Sequence, residues 1–171
     1  MDISLEALHI NDAESLFEFE LENRAFFEEM VPSRGDDYYD YEVFKTRLQA
    51  LLDEQAQGGS YFYLIKNNTG SILGRMNVID IDETRKTGHV GYRVGQRFIG
   101  KGIASKALKL LLDAASEMGL KTIQAKTTTN NKASQIVLEK NGFTLIATRN
   151  EEFEFAGQRV QFLHYVWSDL K

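Results

Sequence analysis

A mixed α/β (α+β) fold, with a central, mostly antiparallel sheet of about seven strands flanked by four helices, is what this chain's residue pattern predicts. Three stretches carry that expectation. Residues 61–81 hold two apolar runs, Tyr61 to Lys66 and Ile72 to Ile81, separated by Asn67-Asn-Thr-Gly70. Those four residues suit a hairpin turn, so the two runs pair antiparallel. Residues 87–115 pass from a strand through a glycine turn into a helix, and residues 121–140 repeat the strand-then-helix order. A strand that feeds a helix implies a crossover to a parallel neighbour, which makes the sheet mixed.

The remaining elements follow in order. Ile3-Leu5 and Leu8-Ile10 suggest a short opening strand. Asn11 or Asp12 caps a helix that distributes Leu16, Phe17, Phe19, Leu21, Phe26 and Phe27 over an inner surface, and Pro32-Ser-Arg-Gly35 breaks it. Tyr41 to Gln57 carries Val43, Phe44, Leu48, Leu51 and Leu52 on one side of a second helix, which Gly58-Gly59 ends. Asp82 to Lys86 is a charged turn. Strand 87–94, helix 101–118, strand 121–127, helix 131–140, strand 143–149 and strand 159–168 complete the chain. There is no internal repeat, and residues 1–171 read as one domain.

Composition excludes several classes of function. The chain has no cysteine, so neither a disulfide nor a thiol nucleophile is available. His9, His89 and His164 are scattered without metal-ligand spacing, and no metal is expected. No apolar run approaches the roughly 20 residues that span a bilayer. The opening Met-Asp-Ile-Ser-Leu-Glu lacks the basic and apolar regions of a signal peptide, so a cytoplasmic location is expected. A net charge of −5 disfavours sequence-independent nucleic-acid binding, which needs a basic face.

The chemistry concentrates between Val94 and Ala104. A strand that breaks into a glycine turn and restarts as a helix leaves several backbone N–H groups unpaired and aimed at one place. The helix macrodipole adds partial positive charge there, so a phosphate is held without a dedicated side chain. Gly100 and Gly102 allow close approach to the backbone, and Arg97 and Lys101 add mobile positive charge. Residues 97–104 are therefore a candidate phosphate or pyrophosphate site.

Three glycine-loop patterns compete for it. The ATP-type loop requires a Ser or Thr after Gly-Lys, but Gly95-Gln-Arg-Phe-Ile-Gly-Lys is followed by Gly102, so the Mg²⁺ ligand is missing. The dinucleotide fingerprint fits Gly100 and Gly102 but meets Ser105 at its third position, and the strand at 121–127 ends without the acidic residue that holds a ribose. The third pattern is [R/Q]-x-x-G-x-G/A, met by Arg97-Phe-Ile-Gly100-Lys-Gly102. With it stands a second block, residues 130–143, reading Asn-Asn-Lys-Ala-Ser-Gln-Ile-Val-Leu-Glu-Lys-Asn-Gly-Phe. Together these resemble the acetyl-CoA signature and the following helix of the GNAT superfamily of N-acetyltransferases. Asn131, Ser134, Glu139, Lys140, Gly142 and Phe143 stand at the matching places, and the likeness is greatest to the branch of ribosomal-protein N-terminal acetyltransferases (RimJ/RimL-like). The motifs cover about residues 60–168; residues 1–58 agree by length and pattern.

The resemblance implies the acyl-CoA N-acyltransferase fold, acetyl-CoA as co-substrate, and direct transfer of acetyl to an amine in a ternary complex. It places the pyrophosphate on the N–H groups around Gly100, Lys101, Gly102, Ile103 and Ala104, with Arg97 nearby. The pantetheine arm docks like an extra strand beside Tyr92 and Val94, and Asn131 hydrogen-bonds it. The N–H of Tyr92 faces the thioester oxygen and stabilises the oxyanion. Many relatives protonate the leaving thiolate with a Tyr whose place here is Leu138; Ser134, one turn earlier on a similar face, is the substitute. Two bases are available for the amine proton. Glu152 and Glu154 share one face of an extended segment, and His89, on the strand before the glycine turn, carries an imidazole, the side chain most often used as a general base.

The acceptor is the open part of this reading. Residues 28–41 hold Glu28, Glu29, Asp36, Asp37 and Asp40 among Tyr38, Tyr39 and Tyr41, a composition that attracts a cationic amine. The leading expectation is the α-amine of a protein N-terminus. A small amine (polyamine, aminoglycoside or amino-acid-like) is the alternative, and a coenzyme-binding sensor without turnover is the third. Hairpins and a C-terminal strand near the acceptor groove make a homodimer a further expectation.

Overall fold

The computed structural model describes residues 2–30, 32–148, 152–155 and 157–169. Its strands are β1 (Ile3–Ala7), β2 (Tyr61–Asn67), β3 (Ile72–Asp82), β4 (Thr87–Val94), β5 (Thr122–Thr128), β6 (Thr144–Thr148), β7 (Phe153–Phe155), β8 (Gln158–Val160) and β9 (Phe162–Ser168). Its α-helices are α1 (Ala13–Glu22), α2 (Arg24–Glu28), α3 (Tyr41–Ala56), α4 (Ile103–Glu117) and α5 (Lys132–Lys140). The main sheet has seven strands in the order β1-β2-β3-β4-β5-β9-β6. Every neighbouring pair is antiparallel except β4 and β5. The mixed, mostly antiparallel α/β sheet expected from the sequence is thus present.

Local chemistry sets the element boundaries. Asn67 makes the first hairpin: its Oδ1 accepts the N–H groups of Thr69 and Ser71 at 3.1 and 2.9 Å. The Asp40 carboxylate caps α3 by accepting from Glu42 and Val43. Gly102, with φ of 76°, turns the chain into α4, and Gly119, with φ of 86°, turns it out again. Between them Ile103, Ala107, Leu108, Leu111, Leu112 and Ala115 recur on one face and are buried. Fully burying each of the leucines stabilises the fold by about 1.5–3 kcal/mol.

The helices cover both faces of the sheet. On one face α4 packs over Ile65, Leu73, Met76, Val78 and Ile123. On the other, α1, α2 and α3 enclose Phe19, Phe27, Phe44 and Leu48 against Phe62 and Leu64. Side chains of β4 divide accordingly: Val90, Tyr92 and Val94 belong to the α4 side, and Arg93 meets α1.

Three elements differ from expectation. The first helix is two, α1 and α2, jointed at Asn23, whose Nδ2 donates to the Phe19 carbonyl at 2.9 Å. The final strand is also two: it breaks at Gln161, so that β8 pairs with β7 in a separate ribbon while β9 inserts between β5 and β6. The second crossover therefore passes over β9, and β5 and β6 are not neighbours. Arg149, the last residue of the expected strand 143–149, lies outside the described residues.

Gly74 sets how closely β3 and β4 approach. A Cβ there meets the carbonyl oxygen of Arg93 at 2.5 Å, a backbone atom that cannot step aside. Gly74→Ala is expected to destabilise the protein by about 1–3 kcal/mol, as overpacking does, and urea unfolding measures it. An unchanged midpoint would refute this account of the strand contact.

Candidate active site

Between β4 and β5 the sheet opens. Their pairing runs from Thr87↔Thr122 to Val90↔Ala125 and stops there, though β4 continues to Val94 and β5 to Thr128. Each strand stays paired on its other side: β4 to β3 as far as Gly74↔Val94, and β5 to β9 as far as Thr128↔Phe162. Backbone groups of an extended strand alternate in direction. The N–H of Gly95 donates to the Leu73 carbonyl on the β3 side, whereas the Lys86 carbonyl accepts from Lys121 on the β5 side. By that alternation the N–H groups of Tyr92 and Val94 face the gap.

A cavity of about 640 Å³ fills the opening. Tyr92, Asn131, Ser134 and Leu138 line one part, and Arg34, Arg75, Arg93 and Lys126 line the rest together with Phe153, Phe155 and Phe162. A second hollow of about 160 Å³, lined by Val94, Ile99, Ala104, Asn131, Ser134 and Val137, continues it toward the mouth of α4. Tyr92 and Ser134 face each other there, their hydroxyl oxygens 3.2 Å apart. Burial pushes the Tyr92 phenol above its ordinary range, against the opposing effect of the Ser134 bond, so it stays protonated at neutral pH.

At the mouth of α4, Gly100 and Gly102 both have positive φ, 74° and 76°. A Cβ at either would meet nothing within 4 Å, so it is backbone conformation rather than space within the chain that calls for glycine. The first turn of α4, Ile103 onward, has no side-chain cap at Gly102, which leaves its N–H groups for an anion. Lys101 is exposed beside them. Arg97 pairs with Glu22 at 3.0 Å on the surface. The turn is anchored by Asn23, whose Oδ1 accepts from the Gln96 N–H at 2.8 Å, and by Gly95, where a Cβ would crowd the Phe19 ring at 3.0 Å. The sequence pattern missed Asn23 because its partner lies 73 residues away.

Helix α5 supplies the opposite wall. Asn131 caps it, its Oδ1 accepting from Ser134 N–H at 3.1 Å, and it lines both hollows as well. Asn141 bonds Ser105 on α4 at 3.1 Å and the Val137 carbonyl at 2.9 Å, fixing the two helices to each other. Leu138 is buried. The hydroxyl opposite Ser134 comes instead from the sheet, through Tyr92.

The structure does not bring the three candidate bases to the cavity. Glu154 is exposed, and the alternation that unites the two carboxylates turns Phe153 and Phe155 to the cavity instead. Glu152 pairs with Arg159 at 3.3 Å. His89 is exposed on the face of β4 opposite Tyr92 and lines neither hollow. Four of the five acidic residues of 28–41 are also engaged elsewhere. Glu28 and Asp36 bond Arg24, Asp37 bonds Arg47, and Asp40 caps α3.

Glu20 is the charge behind the site. It is fully buried on α1 and accepts from Arg75 at 2.6 Å and Arg93 at 2.5 Å. Burial alone would raise its carboxyl; the charges of Arg75 and Arg93, with the Arg75 bond, outweigh it and hold the group below its usual range. Arg75 also donates to Tyr38 Oη at 3.2 Å, and Arg93 lies over the Phe27 ring at 4.4 Å.

The profile of the Acetyltransferase (GNAT) domain family matches residues 2–144. The chain belongs to the GNAT acetyltransferase family. It is 31% identical over 144 residues to "Probable N-acetyltransferase YjcK" of Bacillus subtilis, covering 82% of this chain and 80% of that protein. Over 141 residues it is 28% identical to "[Ribosomal protein uS5]-alanine N-acetyltransferase" of Escherichia coli, covering 80% and 72%. Among solved structures, a ribosomal-protein-S5-alanine acetyltransferase from Vibrio fischeri superposes with a TM-score of 0.88 at 21% identity, over 98% of this chain and 93% of that one. Ribosomal L7/L12 α-N-protein acetyltransferase in complex with coenzyme A gives 0.86 at 22% identity, over 97% and 93%. This GNAT protein is thus an N-acetyltransferase that takes acetyl from acetyl-CoA, and the glycine turn and the open sheet suit that co-substrate. Among the described residues no cluster of metal ligands occurs, and no helix is long and apolar enough to cross a membrane.

The buried triad sets a stability prediction with a definite sign. A carboxyl held below its unfolded pKa contributes stability that is present above the ordinary Glu range, near 4.3, and is lost as pH falls through the folded value. Glu20→Gln leaves two arginines without their counter-charge at a cost of about 3–5 kcal/mol. Tm at pH 7 should drop by on the order of 10 °C, and the wild-type advantage should shrink as the pH is lowered below 4. A Tm within 2 °C of wild type by calorimetry would remove Glu20 from this role.

Proposed function

We propose that this enzyme acetylates the α-amine of a protein N-terminus, in the manner of the ribosomal-protein branch. The observation that carries the reading is the shape of the acceptor side. The cavity of about 640 Å³ continues into another of about 350 Å³ through shared walls at Arg34, Leu51 and Arg75. That is a trench suited to a chain rather than a cup suited to one small amine. The likeness to relatives named for acetylating ribosomal-protein alanine supports it. A polyamine is disfavoured because the trench wall is cationic. The same reading places the enzyme in the cytoplasm; pairing of two copies is compatible with it.

In this reading the diphosphate rests on the N–H groups from Gly100 to Ala104, with Lys101 close by. Coulombic help from Arg97 requires it to exchange its partner Glu22. The pantetheine arm lies in the gap, bonded to the backbone of Tyr92 and Val94 and to Asn131. The amine nitrogen attacks the thioester carbon, and the oxygen gains charge against the Tyr92 N–H. Collapse forms the amide and expels the thiolate, which takes the Ser134 hydroxyl proton; Tyr92 Oη–H, hydrogen-bonded to Ser134, resupplies it, and solvent water returns a proton to Tyr92, matching the one the amine releases. The amine's own proton leaves to water, since the described cavity wall holds no Asp, Glu or His.

Two experiments separate binding from chemistry. Gly102→Val forces a β-branched residue into positive φ at the phosphate cradle, where no core contact is disturbed. Acetyl-CoA affinity is expected to fall more than tenfold by calorimetry with the circular dichroism spectrum retained; unchanged affinity would dismiss the cradle. Ser134→Ala is expected to lower kcat by about 10²-fold with little change in the KM for acetyl-CoA, and Tyr92→Phe to lower it less. Thiol release from N-terminal peptides, compared with spermidine and free amino acids, is the assay. Equal rates in S134A would assign the proton to water, and preference for free amines would overturn the protein acceptor.

A further inference from the structure

We infer that the acceptor carries an acidic group close to its reacting amine, and that Arg34, Arg75, Arg93 and Lys126 read it; this rests on the N-terminal acceptor reading above. The chain as a whole is acidic, with a net charge of −5. The cavity wall has the opposite sign: four cations and, among the described residues, no carboxylate. Among the described residues Glu20 alone pairs with any of them, through Arg75 and Arg93, so one negative charge is set against four positive ones and three are left over.

Two of the four form no ion pair among the described residues. Arg34 donates to the Tyr38 hydroxyl at 3.0 Å and lies 5.0 Å from the centre of its ring. Lys126 sits 4.3 Å over the Phe162 ring. Both contacts orient a cation without neutralising it. Mutual repulsion is felt as well: the Arg93 guanidinium is pushed below its ordinary value, first by burial and then by Arg34 and Arg75, despite Glu20. Like charges held together at a concave surface are relieved by an incoming anion.

Coenzyme A is not that anion for three of the four. Its phosphate cradle lies at the mouth of α4, and Arg34, Arg75 and Lys126 are absent from the hollow that leads there; Arg93 borders both hollows, but Glu20 already pairs with it. Position along the acceptor follows from the register. Arg75 pairs with Arg93, the residue after Tyr92, so Arg75 stands about one strand spacing, roughly 5 Å, beyond the line of attack. An extended chain advances about 3.3–3.6 Å per residue. The acid therefore falls at the second or third residue of the acceptor, with the remainder leaving over Leu51 toward Arg47, which Asp37 already neutralises.

The test uses the full chain and three peptides identical except for aspartate, asparagine or lysine at their second and third positions, with thiol release as readout. O-phosphoethanolamine serves as a small anionic amine. The aspartate peptide is expected to exceed the asparagine peptide in kcat/KM by about tenfold, the worth of a charge-assisted hydrogen bond. Arg34→Gln and Lys126→Gln should each narrow that ratio while the Kd for acetyl-CoA stays at the wild-type value. Both residues are surface-accessible and outside the Glu20 triad, so the fold is not at stake. Equal rates on the three peptides, a preference for lysine, or an undiminished ratio in both variants overturns the inference and leaves N-terminal transfer standing. Phosphoethanolamine outpacing the peptides overturns the peptide source of the anion. Acetyl-CoA binding without acetylation of any peptide overturns the N-terminal reading itself.

Discussion

Beyond Val90 and Ala125, β4 and β5 stop exchanging hydrogen bonds although both remain extended. Unpaired backbone groups in a protein interior are costly, so something must hold the strands apart. It is their outer edges. β4 is bound to β3 through Val94 and again by the Gly95 N–H on Leu73, and β5 is bound to β9 through Thr128, extended by the Thr129 N–H on Gln161. Glu20 pulls Arg93 toward α1 on one side, while Tyr92 reaches Ser134 on α5 from the other. The opening is thus the geometric remainder of two fully satisfied ladders. It offers strand-edge hydrogen bonds to an amide-bearing arm, and it ends where the glycine turn gathers the N–H groups of α4.

The same arrangement divides the site by charge. A neutral, amide- and hydroxyl-lined half faces α4 and α5, and a cationic half faces α1 and α3, because alternate side chains of β4 point to opposite faces. Tyr92 and Arg93 are adjacent in sequence yet serve opposite halves. A single-residue slip of β4 would exchange them and destroy both. Gly74, by letting the Arg93 carbonyl approach, and the Asn23 bond to Gln96 help to pin that register at the C-terminal end of β4.

What the sequence disclosed was local. The glycine turn and the Asn67 hairpin depend on residues within a few positions of one another, and each is present. What it concealed was long-range. Glu20 meets Arg75 and Arg93 across 55 and 73 residues, and Tyr92 meets Ser134 across 42. No periodicity records such pairs. Glu152 and Glu154 show a subtler limit. Alternation correctly placed them together, but an alternating segment has two faces, and only the break at Gln161 that creates the β7–β8 ribbon decides that the phenylalanines look inward. The acidic loop at 28–41 misled for a related reason: composition counts charges without showing that Arg24 and Arg47 already hold three of them.

A cationic acceptor wall also bears on how an amine loses its proton where, among the described residues, no carboxylate faces it. A unit charge about 8 Å away contributes ~2 kcal/mol at an effective dielectric near 20, more than one pKa unit. Three uncompensated cations therefore disfavour a bound ammonium ion strongly and favour the neutral amine that reacts. The same field that binds an acid at the second or third position of the acceptor prepares the amine at its first. The two effects oppose each other once the acid is seated, because its charge offsets part of the field. They remain compatible because four cations face one fixed carboxylate: a single acid leaves two charges to act on the amine. A base aimed at the nitrogen is then unnecessary, and water at the open end of the trench suffices to carry the proton away.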